Sequence, residues 1–398
     1  MFHVGGAYAG GVSIFLDNHS TTRLDPRVLE AMMPWLTEQY GNAGSTTHEM
    51  GRDAREVVDS SRESVASVIG ASAREIVFTS GATESNNLAI LGTAGRQAGN
   101  GHLVTVETEH PAVLDPCDHL KRKGYAVTRL SVEHTTGLVD PAMLETVLRP
   151  ETFLVSISLA NNEIGTIQNL PAIAQRVHAC GAVLHADCAQ VVGRLPLDMD
   201  ALGIDLASFS AHKFHGPKGV GALYVRRRGR PVRIDPLVYG GGQERGMRSG
   251  TLNVPSIVGM AEAARLAQEH GESESITIRK QRNQLWEILE KDIPEIAING
   301  PRLSHESVRL PNNLNVHVPG VDGQTLLTTL AHEGLAVSAG SACSSENPRP
   351  SHVLQAIGLS EDAARASLRF GLSRFTTDQD IQRAAALVVA GVEKLREL

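Results

Sequence analysis

The chain has 398 residues, enough by length for two or three domains, one of them large. Hydrophobic residues make up 41% and charged residues 20%, an ordinary globular balance with ample material for a core. A net charge of −7 argues against a general nucleic-acid binder, and no uninterrupted apolar run reaches transmembrane length, so neither nucleic acid nor a membrane is an expected partner.

Met1 to Ile14 is small and Gly-rich and lacks the basic start and apolar core of a signal peptide, so it reads as a loose extension. After the polar run Leu16 to Thr22, Asp25-Pro26 predicts a helix over 27–38. A Gly/Asn/Ser loop at 41–45 precedes an amphipathic helix over 52–69. Short apolar strands then recur at 76–79, 102–107, 126–132, 154–159, 183–186, 206–209 and 221–225. Helical stretches fall between several of them, at 84–97, 111–123, 141–148 and 170–180. This alternation predicts an α/β fold whose mostly parallel seven-stranded sheet is covered on both faces. Ligands bind such sheets at the carboxyl ends of the strands.

The pattern changes after Gly250. Helices over 255–270 and 274–291 are followed by a strand over 313–318, a helix over 323–333 and a strand over 335–338. A Gly/Ser/Pro-rich loop over 339–350, a strand over 366–372 and a helix over 378–395 complete the chain. The expected division is a large domain at 15–254 and a smaller α+β domain at 255–398. Residues 1–14 are expected to join the small domain, which carries the mobile loop 339–350.

The candidate polar groups lie at successive strand ends. Lys213 follows Ser208-Phe209-Ser210-Ala211-His212, and Gly216, Pro217 and Gly219 then force a turn. A lysine held there can form a Schiff base with an aldehyde cofactor such as pyridoxal phosphate (PLP), although a solvated loop lysine is the commoner case. Ser80-Gly81-Ala82-Thr83-Glu84 opens a helix after a strand, which suits either an anion seat or plain capping by Thr83. His110 can stack on a flat ring or move protons, or simply start a helix beside Pro111. Asn161 can bond a ring oxygen or a carboxylate, or make an ordinary turn. Asp187, three residues before Gln190, can pair with a pyridinium nitrogen or cap a helix. Each signal is weak alone; their shared location and order carry the weight.

Taken together, these motifs resemble one family over nearly everything from Leu16 to Leu395. They are Ser80-Gly81-Ala82-Thr83-Glu84-Ser85-Asn86-Asn87, Thr108-Glu109-His110, Asn161-Asn162-Glu163-Ile164-Gly165, His185-Ala186-Asp187-Cys188-Ala189-Gln190, Ser208 to Lys213, Arg248-Ser249-Gly250-Thr251 and Ser341-Ala342-Cys343. The chain looks like a cysteine desulfurase of the NifS/IscS-like branch, among the class V aminotransferases and fold-type I PLP-dependent transferases. The resemblance implies PLP on Lys213, with Asp187 at the ring nitrogen, Gln190 and Asn161 near the ring hydroxyl and His110 stacked on the ring. Ala82, Thr83, Ser210 and His212 would hold the phosphate, and Thr251 would reach the phosphate of the partner in a homodimer. Arg369, with Asn42, would clamp the carboxylate of L-cysteine, and a planar guanidinium suits that task. Cys343 would take sulfur as a persulfide and pass it to an acceptor protein for iron–sulfur cluster, cofactor or tRNA biosynthesis. Members that feed an iron–sulfur scaffold often carry a C-terminal tail beyond the last helix, and here the last predicted helix ends three residues before Leu398.

The remaining cysteines have blander expectations. Cys188 is expected to pack, with a second redox-active thiol as the minor alternative; Cys117 and Cys180 are expected to be structural. The scatter of the four cysteines, without zinc-ligand or Cys-x-x-Cys spacing, predicts neither a metal site nor a disulfide framework. A reducing cytoplasm is the matching compartment. Alternative functions are a selenocysteine lyase or aminotransferase of the same fold, or a non-catalytic sulfur carrier or scaffold. Loss of activity in Cys343→Ala separates desulfuration from the first pair, and PLP colour separates an enzyme from the last.

Overall fold

A computed structural model describes residues 13–97, 99–339 and 350–397. In chain order its elements are β1 (Ile14–Phe15), α1 (Pro26–Thr37), α2 (Glu49–Val68), β2 (Ile76–Thr79), α3 (Ala82–Ala94), β3 (His102–Val106), α4 (Pro111–Arg122) and β4 (Ala126–Leu130). There follow α5 (Pro141–Val147), β5 (Thr152–Ser156), α6 (Leu170–Ala179), β6 (Val183–Asp187), β7 (Leu206–Ser210), β8 (Gly221–Val225) and α7 (Val254–Asp292). The chain ends with β9 (Ala297–Ile298), β10 (Asn313–His317), α8 (Gly323–His332), β11 (Leu335–Ala336), β12 (Ser338–Ala339), α9 (His352–Ala356), α10 (Glu361–Arg365), β13 (Ser367–Gly371) and α11 (Asp378–Arg396).

Among the described residues the strands form three sheets. The large one has the order β2-β8-β7-β6-β5-β3-β4. β3 to β7 run parallel, and β8 is antiparallel to both β7 and β2. The carboxyl ends of β2, β3, β5, β6 and β7 therefore share one edge. The order reverses between β5 and β3, the switch point where a crevice opens in such sheets. β2, β3, β5, β7 and β8 are buried along their whole length, which explains why they read as continuous apolar runs rather than alternating ones.

A four-stranded antiparallel sheet, β12-β13-β10-β9, packs with α8, α11 and the second half of α7 around a separate core of Leu314, Leu368, Phe370, Leu326 and Val388. Three expectations are corrected here. The helices expected over 255–270 and 274–291 are one helix of 39 residues. Gly271, in the expected gap between them, is a packing contact: a Cβ there would lie 2.6 Å from the carbonyl oxygen of Gly193. The strand expected over 335–338 divides between two sheets, β11 pairing with β1 and β12 with β13. Ile14 is buried in that β1–β11 pair, so the last residue of the supposed loose extension is part of the fold.

Candidate active site

Lys213 sits where the sequence reading places it. β7 ends at Ser210, and Ala211–Lys213 makes a single 3-10 turn closed by Gly216 N–H to the Ala211 carbonyl at 2.9 Å. A Cβ at Gly216 would lie 2.8 Å from that of Ala211, so the turn needs glycine there. The Lys213 ammonium donates to the carbonyls of His19 at 2.5 Å and Ser20 at 2.9 Å. Its pKa falls to about 8, chiefly by burial, with the Arg369 charge adding and Asp187 and Asp17 opposing. Such an amine is far easier to deprotonate than a surface lysine. From behind, the Arg194 guanidinium donates to the Lys213 carbonyl at 3.1 Å.

The segment Asp17–Asp25 forms the wall facing this turn. Thr22 donates both its N–H and its hydroxyl to the His212 carbonyl at 2.9 Å and accepts the His215 N–H at 2.8 Å. His212 Nδ1 bonds the Thr21 hydroxyl at 3.0 Å, and His215 Nδ1 donates to the Arg23 carbonyl at 2.9 Å. His19 is fully buried, its Nδ1 3.0 Å from Gln190 Oε1 and its Nε2 3.2 Å from Asn313 Nδ2. Two such partners fix a neutral imidazole that donates from Nδ1 and accepts at Nε2. Burial depresses all three pKa values: His212 to about 4, His215 to about 3, and His19 well below its usual value.

Opposite lies the strand-end wall. Asp187, at the end of β6, accepts from Asn86 Nδ2 at 2.7 Å and from the Ala189 N–H at 2.9 Å. Asn86 is itself buried inside α3, so the helix that begins at Ala82 also orients Asp187. Gly81, at φ 150°, caps α3 with no side-chain bond, which leaves the first-turn N–H groups of Ala82 and Thr83 for an anion. A Cβ at Gly81 would stand 3.5 Å from the Ser210 hydroxyl, and one at Gly221 would lie 2.6 Å from the Gly81 Cα. Glycine at both positions brings the helix start against Ser210.

His110 caps α4, its Nδ1 accepting the Ala112 N–H at 3.0 Å. Crowding lowers its pKa although the residue keeps an exposed face, and the Asp187 charge pulls the other way. Nδ1 is thus an acceptor, and the neutral ring carries its proton on Nε2. Asn161 makes a tight turn: its Oδ1 accepts the Glu163 and Ile164 N–H groups at 2.8 and 3.0 Å and its Nδ2 donates to the Thr108 carbonyl at 2.9 Å. One amide hydrogen remains for a ligand. Gln190 is similarly committed, with its oxygen on His19 Nδ1 and its nitrogen on the His19 carbonyl at 3.0 Å.

Arg369, on β13, brings the second sheet into the site; it is 2% exposed and bonds Asp17 and Ser20 at 2.9 Å and the Asn162 carbonyl at 3.2 Å. Asn42 lies elsewhere, on an exposed loop where its side chain accepts the Gly44 N–H at 2.8 Å. Thr251 is exposed too, on a segment anchored by a buried Arg62–Glu244 pair with N–O contacts of 2.6 and 2.7 Å. Cys343 lies outside the described residues. Cys188 is fully buried, which pushes its thiol well above the usual range; burial likewise raises Cys117 to about 12. Neither thiol is available as a nucleophile.

Comparison with known proteins shows the family. The family model described as "Aminotransferase class-V" matches residues 14–384. The chain belongs to the class V aminotransferase family, in its NifS/IscS-like branch. A protein of Anaeromyxobacter sp. (strain K) described as "Cysteine desulfurase IscS" is 50% identical over 388 residues, covering 97% of this chain and 94% of that protein. A solved structure titled "NIFS-LIKE PROTEIN" superposes with a TM-score of 0.89 at 38% identity, covering 96% of this chain and all of that one. The NifS-like protein from Rickettsia africae ESF-5 gives 0.84 at 32% identity over 97% of this chain.

The residues at the strand ends fit the cofactor that class V aminotransferases use. The α3 start, brought against Ser210 because Gly221 leaves room for Gly81, suits a phosphate; a half-buried carboxylate stands ready for a ring nitrogen, and a depressed lysine for an aldehyde. Sequence reasoning missed Asp17, His19, Ser20, Asn86 and Arg194. The polar run 17–22 was visible as a cluster, but only the fold shows that it closes the site.

Proposed function

We propose that this protein is a PLP-dependent cysteine desulfurase, which converts L-cysteine to L-alanine and passes the sulfur through a Cys343 persulfide to an acceptor protein. The observation that carries this reading is the meeting of the depressed Lys213 amine and the Asn86-braced Asp187, at the strand ends of the large sheet, with the buried Arg369 guanidinium brought in from the second sheet. The 50% identity to the Anaeromyxobacter desulfurase supports it. When bound, PLP supplies an electron sink for negative charge at the substrate α-carbon.

The protein's own residues supply the rest. Ala82 and Thr83 N–H groups, the Ser210 hydroxyl and His212 hold the phosphate. Asp187 would keep the ring nitrogen protonated, and His110, whose Nδ1 is held by the Ala112 N–H, would offer its Nε2 hydrogen for proton transfer at the ring. Asn161 and Gln190 each offer one remaining amide hydrogen to the ring hydroxyl. Lys213 takes the α-proton at Nζ, and Arg369 orients the substrate carboxylate. The Cys343 thiolate then attacks the substrate sulfur: an S–S bond forms as the substrate C–S bond breaks, the C–S electron pair stays with the substrate β-carbon, and a proton taken up there together with the α-proton returned from Lys213 gives alanine, leaving a persulfide on Cys343.

The working unit is a homodimer in which Thr251 reaches the partner's phosphate. Exposed Leu237, Val238 and Tyr239 on the same segment, and Leu29, Met33, Leu36 and Tyr40 near α1, supply apolar surface for it. The large domain takes residues 15–254 and the small one 255–398, in a cytoplasmic protein that delivers sulfur to an iron–sulfur scaffold or a thiolation protein.

The test uses PLP-loaded wild type, Lys213→Ala and Cys343→Ala with L-cysteine and a reductant. Equal alanine and sulfide from wild type are expected, with a drop on the order of 10³-fold or more in both variants. Retained alanine formation in Cys343→Ala would point to a selenocysteine-lyase-like enzyme, and no alanine from wild type to an aminotransferase or scaffold.

A further inference from the structure

The five N–H hydrogens of Arg369 are unequally spent. Both hydrogens of Nη2 are engaged, one on Asp17 Oδ1 at 2.9 Å and one on the Ser20 hydroxyl at 2.9 Å. The Ser20 hydroxyl in turn donates to Asp17 Oδ1 at 2.8 Å, closing a three-membered ring of contacts. Nη1 gives one hydrogen to the Asn162 carbonyl at 3.2 Å. Nε is sealed from solvent and has no partner. A carboxylate that grips a guanidinium with two parallel bonds needs one of two edges, Nη1–Nη2 or Nε–Nη2, and both include Nη2. The edges on which a substrate carboxylate would sit are therefore already held from within the chain.

We propose that Asp17 is a built-in stand-in for the substrate carboxylate, holding Arg369 in the resting enzyme and yielding it when the substrate arrives. This rests on the reading of Arg369 as the carboxylate site of an amino-acid substrate. A guanidinium at 2% exposure with no counter-charge is costly, and Asp17 supplies that charge until the ligand brings its own. The exchange keeps the charge balance at Arg369 constant: one carboxylate leaves as another binds. The backbone of Asp17 does not need to move. It is bridged to Gly371, and its neighbours bond the same residue, Asn18 N–H to Gly371 O at 3.1 Å and Gly371 N–H to Leu16 O at 2.6 Å. Only the side chain turns, and it has water to turn into, being 20% exposed against 2% for Arg369. Asp17 acts through Arg369 and is a specificity-determining positioning residue: a ligand must bring its own carboxylate to displace it.

The sign of one substitution decides the matter. Asp17→Asn keeps the size and the acceptor oxygen and removes the charge. The probe is 3-mercaptopropionate, which carries the thiol and carboxylate of cysteine but has no amino group to condense with the cofactor; ethanethiol is the control without a carboxylate. Titration calorimetry on the PLP-loaded enzyme is expected to show about tenfold tighter 3-mercaptopropionate binding in Asp17→Asn, with ethanethiol unchanged. KM for L-cysteine falls in step, and kcat moves less than KM. Equal or weaker binding of 3-mercaptopropionate, with a raised KM, would overturn the proposal and make Asp17 a mere brace for Arg369. Ser20→Ala gives an independent reading should the first variant fold poorly: binding two- to threefold tighter, or about that, supports the exchange, and weaker binding refutes it. Failure of the desulfurase reading is separate, since it appears as absence of alanine from wild type while the titration still reports on Arg369.

Discussion

The two walls that face Lys213 are built on opposite plans. The strand-end wall offers its groups outward: Asp187, Ser210, His110 and the first turn of α3 all keep capacity for a ligand. The wall made by residues 17–25 turns most of its groups into the protein, where His19, Thr22 and Asp25 are satisfied by Gln190, His215 and Arg374. One wall carries the groups proposed to do the chemistry, and the other fixes the lysine turn against it. Arg369 is where the two plans meet, because its partners come from both.

The largest effect that would separate the walls is acid. His19, His212 and His215 are neutral in the folded protein because burial and the cations Lys213, Lys218, Arg194, Arg369 and Arg374 depress them. Below the ordinary histidine pKa of about 6.5 the unfolded chain binds protons that the folded chain refuses, so stability is full above that pH and is lost on descending to about 4. Each histidine contributes up to roughly 1.4 kcal/mol per pH unit in this window. Glu109, raised to about 8 by burial, and Glu163, also raised, oppose the trend, as they favour the folded state on acidification. Thermal unfolding between pH 7 and 4 is expected to show a falling Tm; a flat or rising Tm would mean that the carboxyls dominate.

Next in size is Asn86→Ala. It removes a bond to a charged partner, worth about 1.5–3 kcal/mol, and is expected to lower kcat roughly 10- to 100-fold with a smaller change in urea stability. Thr22→Val should do the reverse. It leaves the His215 N–H unsatisfied and costs about 1–3 kcal/mol in urea unfolding, with turnover of the folded fraction nearly retained. A Thr22→Val protein that kept its stability and lost kcat would erase the distinction between the walls. Smallest is Cys188→Ala, for which alanine production within about twofold of wild type is expected, since a fully buried thiol beside Asp187 cannot be a nucleophile.

The seven-stranded sheet was legible because strands buried on both faces are written as apolar runs, and the strand-end residues because turns after such runs are short and polar. Lys213, Asp187 and the α3 start needed no more than that. Asn86 was hidden as one polar residue within a helix, and its partner Asp187 is 101 positions away. His19 and Gln190 are 171 apart, and no local pattern signals such a bond. The gap expected at 271–273 failed for a related reason: Gly271 lies inside one continuous helix, where it makes room for the backbone at Gly193.

The length of α7 has a practical consequence. At about 1.5 Å per residue its 39 residues span about 58 Å, and they pack on α1 and α2 at one end and on α11 at the other. Neither core could be expressed as a fragment without this shared beam. A truncation before Val254 would bare the apolar faces of α1 and α2, and a fragment starting after Gly271 would begin with its first turns unsupported. Gene-splitting or domain-swap engineering of this chain would have to leave α7 intact and choose its junctions elsewhere.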